Sequence, residues 1–398
     1  MPSPATPHHP GDTTRGPSAP WLAFGFLLAG LGTVLLGPIL PSISLRWHLS
    51  DSQTGPLFFA KFVGAFLGGI TVPRRLRLGI VSGTVLSCFG FGAFGLCTGI
   101  LSGSAALFVA GIGLGHIIAS TNILAGYRYR THTGSALASL NFFWSLGAVA
   151  TGLIVAAMMP RFGLRNLLFY FAASFLAVGI GGRLAWQDSP SPETPVPAIS
   201  IDPNPQRLAP NILLRFSLFL FLYGGLETCL AGWLTTYTLR YSGQSGAHLV
   251  GGQSATVLFL AALAAGRALS SIALRYYRET TIQRLTLALA FVFIGALAST
   301  SHAASLSLWS ILLGLALAPF FPTTFALLIH HHPTPREAGF VLAVSGLGAA
   351  AFPWLMGIVS THTGSLRTAM AVPMVLALLL LAVSFADRPA PPHTIMKP

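Results

Sequence analysis

The sequence predicts an all-α membrane protein of twelve transmembrane helices in two six-helix, pseudo-symmetric halves, and three observations lead there. Charged residues make up 8% of the 398-residue chain and hydrophobic ones 53%, against about 25% charged in an ordinary soluble domain. Apolar runs near the roughly 20 residues that cross a hydrocarbon core recur twelve times. Midway along the chain, SPSPETPVP and DPNP interrupt them with a stretch that cannot be helical.

Residues 1–20 form a polar, proline-rich tail whose single basic residue is Arg15. It lacks the basic region of a cleaved signal, so the first helix is expected to be retained as an anchor. The N-terminal half, 21–186, divides into runs at 21–41, 54–72, 78–99, 104–126, 134–158 and 164–186. A cytoplasmic linker follows at 187–209. The C-terminal half, 210–386, divides at 210–238, 247–272, 282–300, 303–329, 336–360 and 366–386, and 387–398 is a second tail. Most of the 43 glycines lie inside apolar runs, where small residues let helices approach closely. The halves also echo each other. Gly113-Leu114 recurs as Gly314-Leu315, Leu146-Gly147-Ala148 as Leu347-Gly348-Ala349, and Gly163 as Gly364, all at one shift of 201 residues.

The formal charge of +13 is topological rather than a nucleic-acid footprint, because the arginines come in ones, twos and threes between apolar segments. Most basic residues lie in the tails and even-numbered loops, among them Arg74, Arg75, Arg77, Arg128, Arg130, Arg275, Arg278 and Arg284; Arg46, Arg161, Arg165, Arg240 and Arg367 lie opposite. The asymmetry predicts cytoplasmic termini, and the expected location is the plasma (inner) membrane, as a multi-pass protein. Cys88, Cys97 and Cys229 fall within predicted helices and offer neither zinc spacing nor a disulfide framework.

The stretch FLFLYGGLETCLAGWLTTY, Phe219 to Tyr237, is where chemistry concentrates. The nine acids are otherwise placed in tails, loops or helix ends, but Glu227 lies mid-membrane, where an ionised carboxylate costs roughly 2.5 kcal/mol or more and normally faces a partner or a watered cavity. It reads either as the working centre or as a structural carboxyl bonded between helices. Trp233 and Tyr237 follow it within a broad sector of the same helix, and Tyr223 precedes it. His116 shares a helical face with Ser120, and Asn122 lies nearby. Asn141, Trp144, Gln253, Thr323, Thr324 and Trp354 add polar and aromatic groups suited to a sugar, or to ordinary helix contacts. Lys61, two turns into the second segment, reads as a snorkelling residue. Arg267, with Arg74 and Arg75, reads as a gate or topology residue near the cytoplasmic face. His330, His331 and His332 are consecutive and cannot converge on one ion, so they read as solvated interface.

Two six-helix halves joined by a cytoplasmic loop resemble the major facilitator superfamily. Within it, YGGLETCLAGWLTTY and GLALAPFFPTT are similar to the branch of bacterial fucose permeases and animal sodium-dependent glucose transporters. The resemblance implies that segments 1, 4, 7 and 10 line a central cavity, which would set His116 opposite Glu227. The chain departs from the pattern in three places. GGITVPRRLRLG lacks the aspartate that precedes the arginines elsewhere, Ile118 stands four residues before Asn122 where fucose permeases have a glutamate, and the first segment lacks their aspartate. Any coupling would therefore fall to Glu227.

No nucleophile triad, phosphate loop or metal cluster is present, so the chain reads as a non-enzyme without cofactor or metal. The expectation is a secondary transporter, functional as a monomer in the lipid bilayer and without a nucleic-acid partner. It would move a small neutral solute, a monosaccharide foremost, by alternating access, with H+ or Na+ as coupling ion. A lipophilic-cation exporter of the same fold is the alternative.

Overall fold

In the computed structural model the described residues are 19–73, 76–128, 133–185, 208–242, 249–273, 277–329, 331, 333 and 335–385. Arg74, Arg75, His330, His332, nearly all of the 187–209 linker and all but a few residues of both tails lie outside them. Fourteen helices follow in order: α1 Ala19–Val34, α2 Leu36–Trp47, α3 Asp51–Ile70, α4 Leu76–Leu96, α5 Ile100–Arg128, α6 Thr133–Ala185 and α7 Pro210–Tyr241; then α8 Leu249–Ala273, α9 Glu279–Ser299, α10 Ala303–Leu317, α11 Phe320–Ile329, α12 Pro335–Thr363, α13 Leu366–Ala369 and α14 Ala371–Phe385.

Ten stretches among the described residues are long and apolar enough to cross a membrane. Two details reconcile them with twelve predicted segments. The 44-residue stretch Ser139–Gly182 spans a break at Gly163, whose φ of 74° departs from the helix. The 20 residues of α3 fall short on apolarity because they carry Asp51, Gln53 and Lys61, yet α3 packs along α5 and α12. Proline accounts for other breaks, since it withholds an N–H and crowds the preceding turn. Pro38 follows the break between α1 and α2, and Pro319 sits in the break between α10 and α11.

Burial is inverted at the surface. Leu101, Leu45, Leu214 and Phe89 expose 84%, 77%, 71% and 67% of their area, a scale of apolar exposure suited to lipid rather than water. Within the N-terminal half α3 and α4 pack on α5, and α1 and α4 on α6; in the C-terminal half α7 packs on α12 and α8 on α10. The halves meet through α3 with α12, α6 with α8, and α2 with α7. Cys97 lies just beyond α4 rather than inside it.

The repeat visible in the sequence has a structural counterpart. Gly163 and Gly364, one shift of 201 apart, are the glycines of positive φ among the described residues, at 74° and 67°. Gly147 and Gly348 are related by the same shift. A Cβ on Gly147 would run into the Leu27 carbonyl of α1, and one on Gly348 into the Phe221 carbonyl of α7. Each half thus uses a glycine on its fifth segment to seat its first.

Gly147→Ala and Gly348→Ala should each cost about 1–3 kcal/mol through overpacking. Gly69→Ala meets open space and should be neutral or better. Melting curves of the three detergent-solubilised variants check this; equal melting temperatures would count against the close approach.

Candidate functional site

The cavity between the halves is lined by Thr33, Val34 and Gly37 from the first segment, Phe58 and Phe62 from α3, Trp144 from α6, Glu227, Thr228, Ala231 and Gly232 from α7, and Leu260 from α8. Its volume is about 40 Å³, room for a water or two. An organic substrate can occupy it only if the halves part.

Glu227 has a partner. Arg267 Nη2 donates to Glu227 Oε1 at 3.1 Å and Oε2 at 3.0 Å, and Nη1 reaches Ser145 Oγ at 3.5 Å, the limit of a hydrogen bond. The guanidinium lies 5.9 Å from the rings of both Trp144 and Phe321. The Tyr223 hydroxyl also lies beside both charges, while donating to the Leu317 carbonyl at 3.2 Å. Arg267 Nε is buried without a hydrogen-bond partner. The pair is 20% and 15% exposed, so it is partly desolvated and each charge depends on the other. Arg267 is thus a member of the central site, and not the peripheral topology residue its position near the end of α8 predicts. A five-donor guanidinium on a long stem reaches back to a carboxylate on the neighbouring helix.

The other expected site residues divide. Trp144 lines the cavity beside Glu227. Trp233 and Tyr237 are fully buried but look elsewhere: the indole donates to the Pro353 carbonyl at 3.0 Å and stacks behind Phe58, and the Tyr237 hydroxyl bonds the Leu297 and Ala298 carbonyls. Offsets of six and ten residues rotate them about 100° from Glu227, and the cavity is narrower than that sector; α7 offers it Glu227, Thr228, Ala231 and Gly232 instead. His116 does not face Glu227. Its Nδ1 and Nε2 bond Ser82 and Thr71 at 3.1 and 3.3 Å, tying α5 to α4 and to the end of α3. Asn122 is half-buried and Asn141 exposed. Gln253 joins the halves, its Nε2 donating to the Pro38 carbonyl at 2.8 Å. Thr323 bonds back to its own helix, Thr324 accepts from Gln283, and Trp354 packs edge-on against Phe59. His331 lies against the Phe216 ring.

Lys61 does not snorkel. It is 1% exposed, and its Nζ donates to the Thr33 carbonyl at 2.6 Å.

A second ion pair was not legible in the sequence. Asp51, on the first turn of α3, accepts two hydrogen bonds of 2.6 Å from Arg240 at the last turn of α7. It also accepts from Ser360 of α12 at 2.5 Å, and Ser52 N donates to Thr361 Oγ1 at 2.9 Å. Asp51 is therefore no solvated helix end. It is 8% exposed and clasps both halves where α3, α7 and α12 converge. The available signal was an acid just after Ser50, where a helix N-terminus favours it; its partner, 189 residues away, leaves no local trace.

Sequence comparison agrees with this architecture. The Major Facilitator Superfamily profile matches residues 22–344, most of the chain. The chain belongs to that superfamily and is a multi-pass integral membrane protein. It is 30% identical over 150 residues to the 4-hydroxybenzoate transporter PcaK of Pseudomonas putida, an alignment covering 35% of this chain and 33% of PcaK. It is 29% identical over 187 residues to the cis,cis-muconate transport protein of Acinetobacter baylyi, covering 42% and 44%. The chain therefore aligns with a third to under half the length of these relatives. Among solved structures, a bacterial homolog of the human lysosomal transporter Spinster, inward-facing and unoccupied, superposes with TM-score 0.74 at 13% identity, over 92% of this chain and 95% of that one. The transporter FucP, in the outward conformation, gives 0.61 at 18% identity, over 93% and 99%. The fucose-permease likeness is thus weakly supported, and at these identities the structures speak to fold.

Removing one partner of the Asp51 clasp should favour parting of the halves at that end. Asp51→Asn should shift the equilibrium by about 1–2 kcal/mol, roughly five- to thirtyfold. Thr228→Cys, lining the cavity, should then be alkylated faster by an impermeant thiol reagent applied in vesicles to the Asp51 side. An unchanged rate would show that the Asp51 clasp does not hold that end closed.

Proposed function

We propose that the protein is an alternating-access transporter of small organic anions, aromatic monocarboxylates foremost, with Arg267 as the carboxylate receptor. The observation that carries this is the clamp itself: a guanidinium flanked by two aromatic rings holds a carboxylate through both of its oxygens at the wall of the cavity between the halves. One guanidinium nitrogen, Nη2, spans both oxygens and Nε carries no hydrogen bond, so the group keeps donors for a two-point grip on an incoming carboxylate. Trp144, at the cavity wall, offers a face for an attached ring. In the closed state Glu227 fills the seat that the substrate's own carboxylate would take. The relatives' substrates, 4-hydroxybenzoate and cis,cis-muconate, are organic carboxylic acids, which adds weight from an independent direction.

The monosaccharide reading expects free hydrogen-bonding groups facing the cavity, whereas Gln253, Trp233 and Tyr237 direct their donors to backbone carbonyls. The lipophilic-cation reading needs an available carboxylate, whereas Glu227 is already neutralised by Arg267. On the arginine asymmetry we place the termini in the cytoplasm, and we propose separately that the protein acts as a monomer in the plasma (inner) membrane.

The readings separate in a thermal-shift assay on purified protein. A ligand that binds the folded state at 100 times its Kd stabilises by about 2.7 kcal/mol. 4-Hydroxybenzoate should stabilise the wild type, and Arg267→Lys should bind it at least tenfold more weakly through loss of the fork. Glu227→Gln, which leaves a neutral amide in the seat in place of a competing carboxylate, should respond more than wild type. Stabilisation by glucose or fucose that disappears in Glu227→Gln would instead establish a sugar site, and a response confined to tetraphenylphosphonium would establish the exporter.

A further inference from the structure

Lys61 is a buried titratable group that the Glu227–Arg267 site does not use. Its Nζ lies 4.6 Å from the Phe62 ring centroid and bonds the Thr33 carbonyl. The enclosure around the side chain is apolar, made by Leu35, Leu36, Ile39, Phe91, Phe94 and Leu107. Among the described residues no carboxylate is within ion-pair distance; both described ion pairs involve other residues. The titratable groups on neighbouring elements are engaged or placed elsewhere. His116 of α5 is held by Ser82 and Thr71, Cys88 and Cys97 belong to α4 and its end, Arg77 begins α4 and Arg46 ends α2. Glu337 bonds Leu208 N at one end of α12, and His362 is exposed at the other.

Thr33 faces two ways. Its carbonyl holds Lys61, and the residue lines the cavity that contains Glu227; Phe58 and Phe62, close to Lys61 along α3, line it too. About one residue's thickness separates Nζ from that space. An ammonium without a counter-charge is costly in such surroundings. A carboxylate entering the cavity supplies that counter-charge across Thr33, where little water screens it.

Resting on the organic-anion reading above, we propose that Lys61 is the proton-linked group of the transport cycle. It holds a proton while the substrate carboxylate occupies the cavity and releases it when the substrate leaves, so that one carboxylate and one proton cross together with no net charge moved. This moves the coupling role from Glu227, the acid the sequence singles out, to a base on the other half of the molecule.

The test uses the full chain in liposomes with 4-hydroxybenzoate as probe, an internal pH dye, and a potassium-diffusion potential. Wild type should show one proton taken up per 4-hydroxybenzoate and a rate unaffected by the potential. Lys61→Met, which removes the charge that the substrate carboxylate answers, should slow exchange of labelled for unlabelled 4-hydroxybenzoate, whereas Lys61→Arg should retain it. Lys61→Met should lose the proton influx, and its net uptake should be slowed by an inside-negative potential. Lys61→Arg, which keeps the charge permanently, should lose the proton influx as well. Substrate-driven proton influx at the wild-type ratio in either variant would overturn the proposal, as would wild-type uptake without protons. Loss of exchange in both variants together with a lowered melting temperature would also overturn it, leaving Lys61 as a structural tie to Thr33. Failure of wild type both to bind and to exchange 4-hydroxybenzoate would instead remove the organic-anion reading beneath it.

Discussion

A charge buried in a membrane protein has to be answered from within the protein, and the organisation of this chain follows from how three charges are answered. Glu227 is met by Arg267, Asp51 by Arg240, and Lys61 by a single backbone carbonyl. The first two arrangements pair full charges, Asp51 through a two-nitrogen fork and Glu227 through one nitrogen shared between its two oxygens, and such pairing compensates partial desolvation. The third leaves an amine with a carbonyl dipole and no counter-charge. The placement matters as much as the pairing: one pair lies at the cavity between the halves, one joins the halves at an end, and the unmatched lysine sits behind the cavity wall.

The scaffold supplies the close approach these charges need. Glycines at equivalent places in the repeat let the fifth segment of each half meet the first at backbone distance, Gly147 at Leu27 and Gly348 at Phe221. Proline-linked breaks do the rest. Thr33, Val34 and Gly37, around the break near Pro38, line the cavity, and the Thr33 and Pro38 carbonyls accept from Lys61 and Gln253. Helix interruptions at membrane depth are tolerated where side chains re-satisfy the backbone, and both donors here come from other helices.

How much of this was legible follows from the range of the signals. Helix class and the division into runs rest on composition over windows of about 20 residues, and these are local. Glu227 stood out for the same reason, since one acid inside an apolar run is a local anomaly. Its partner was not legible: Arg267, 40 residues on, has a neighbouring glycine and a place near a helix end that suggested the interface. Asp51 was hidden for the converse reason, because a helix N-terminus is an ordinary place for an aspartate. Trp233 and Tyr237 looked right by helical angle, yet angle fixes a sector and packing of the facing helix decides which part of it is open. Depth within a helix does not reveal whether a lysine stem points along the lipid or into the bundle, so the burial of Lys61 has no local signature.

The positions of the charges along two helices suggest how site and gate communicate. On α7, Glu227 and Arg240 are separated by thirteen positions, about 20 Å of rigid helix; on α3, Lys61 and Asp51 are separated by ten, about 15 Å. Each helix therefore has one end in the clasp and its middle at the cavity or its wall. A substrate that takes Arg267 from Glu227 changes the forces on α7, and one that supplies a counter-charge to Lys61 changes those on α3. Both act on the residues that close the Asp51 end. Packed helices shift between discrete arrangements rather than bending, so a change of partner at mid-helix can be read as opening or closure at the end. No chain of intermediate contacts is required for this, only that the two helices move as rods and that the closed arrangement depends on both pairs.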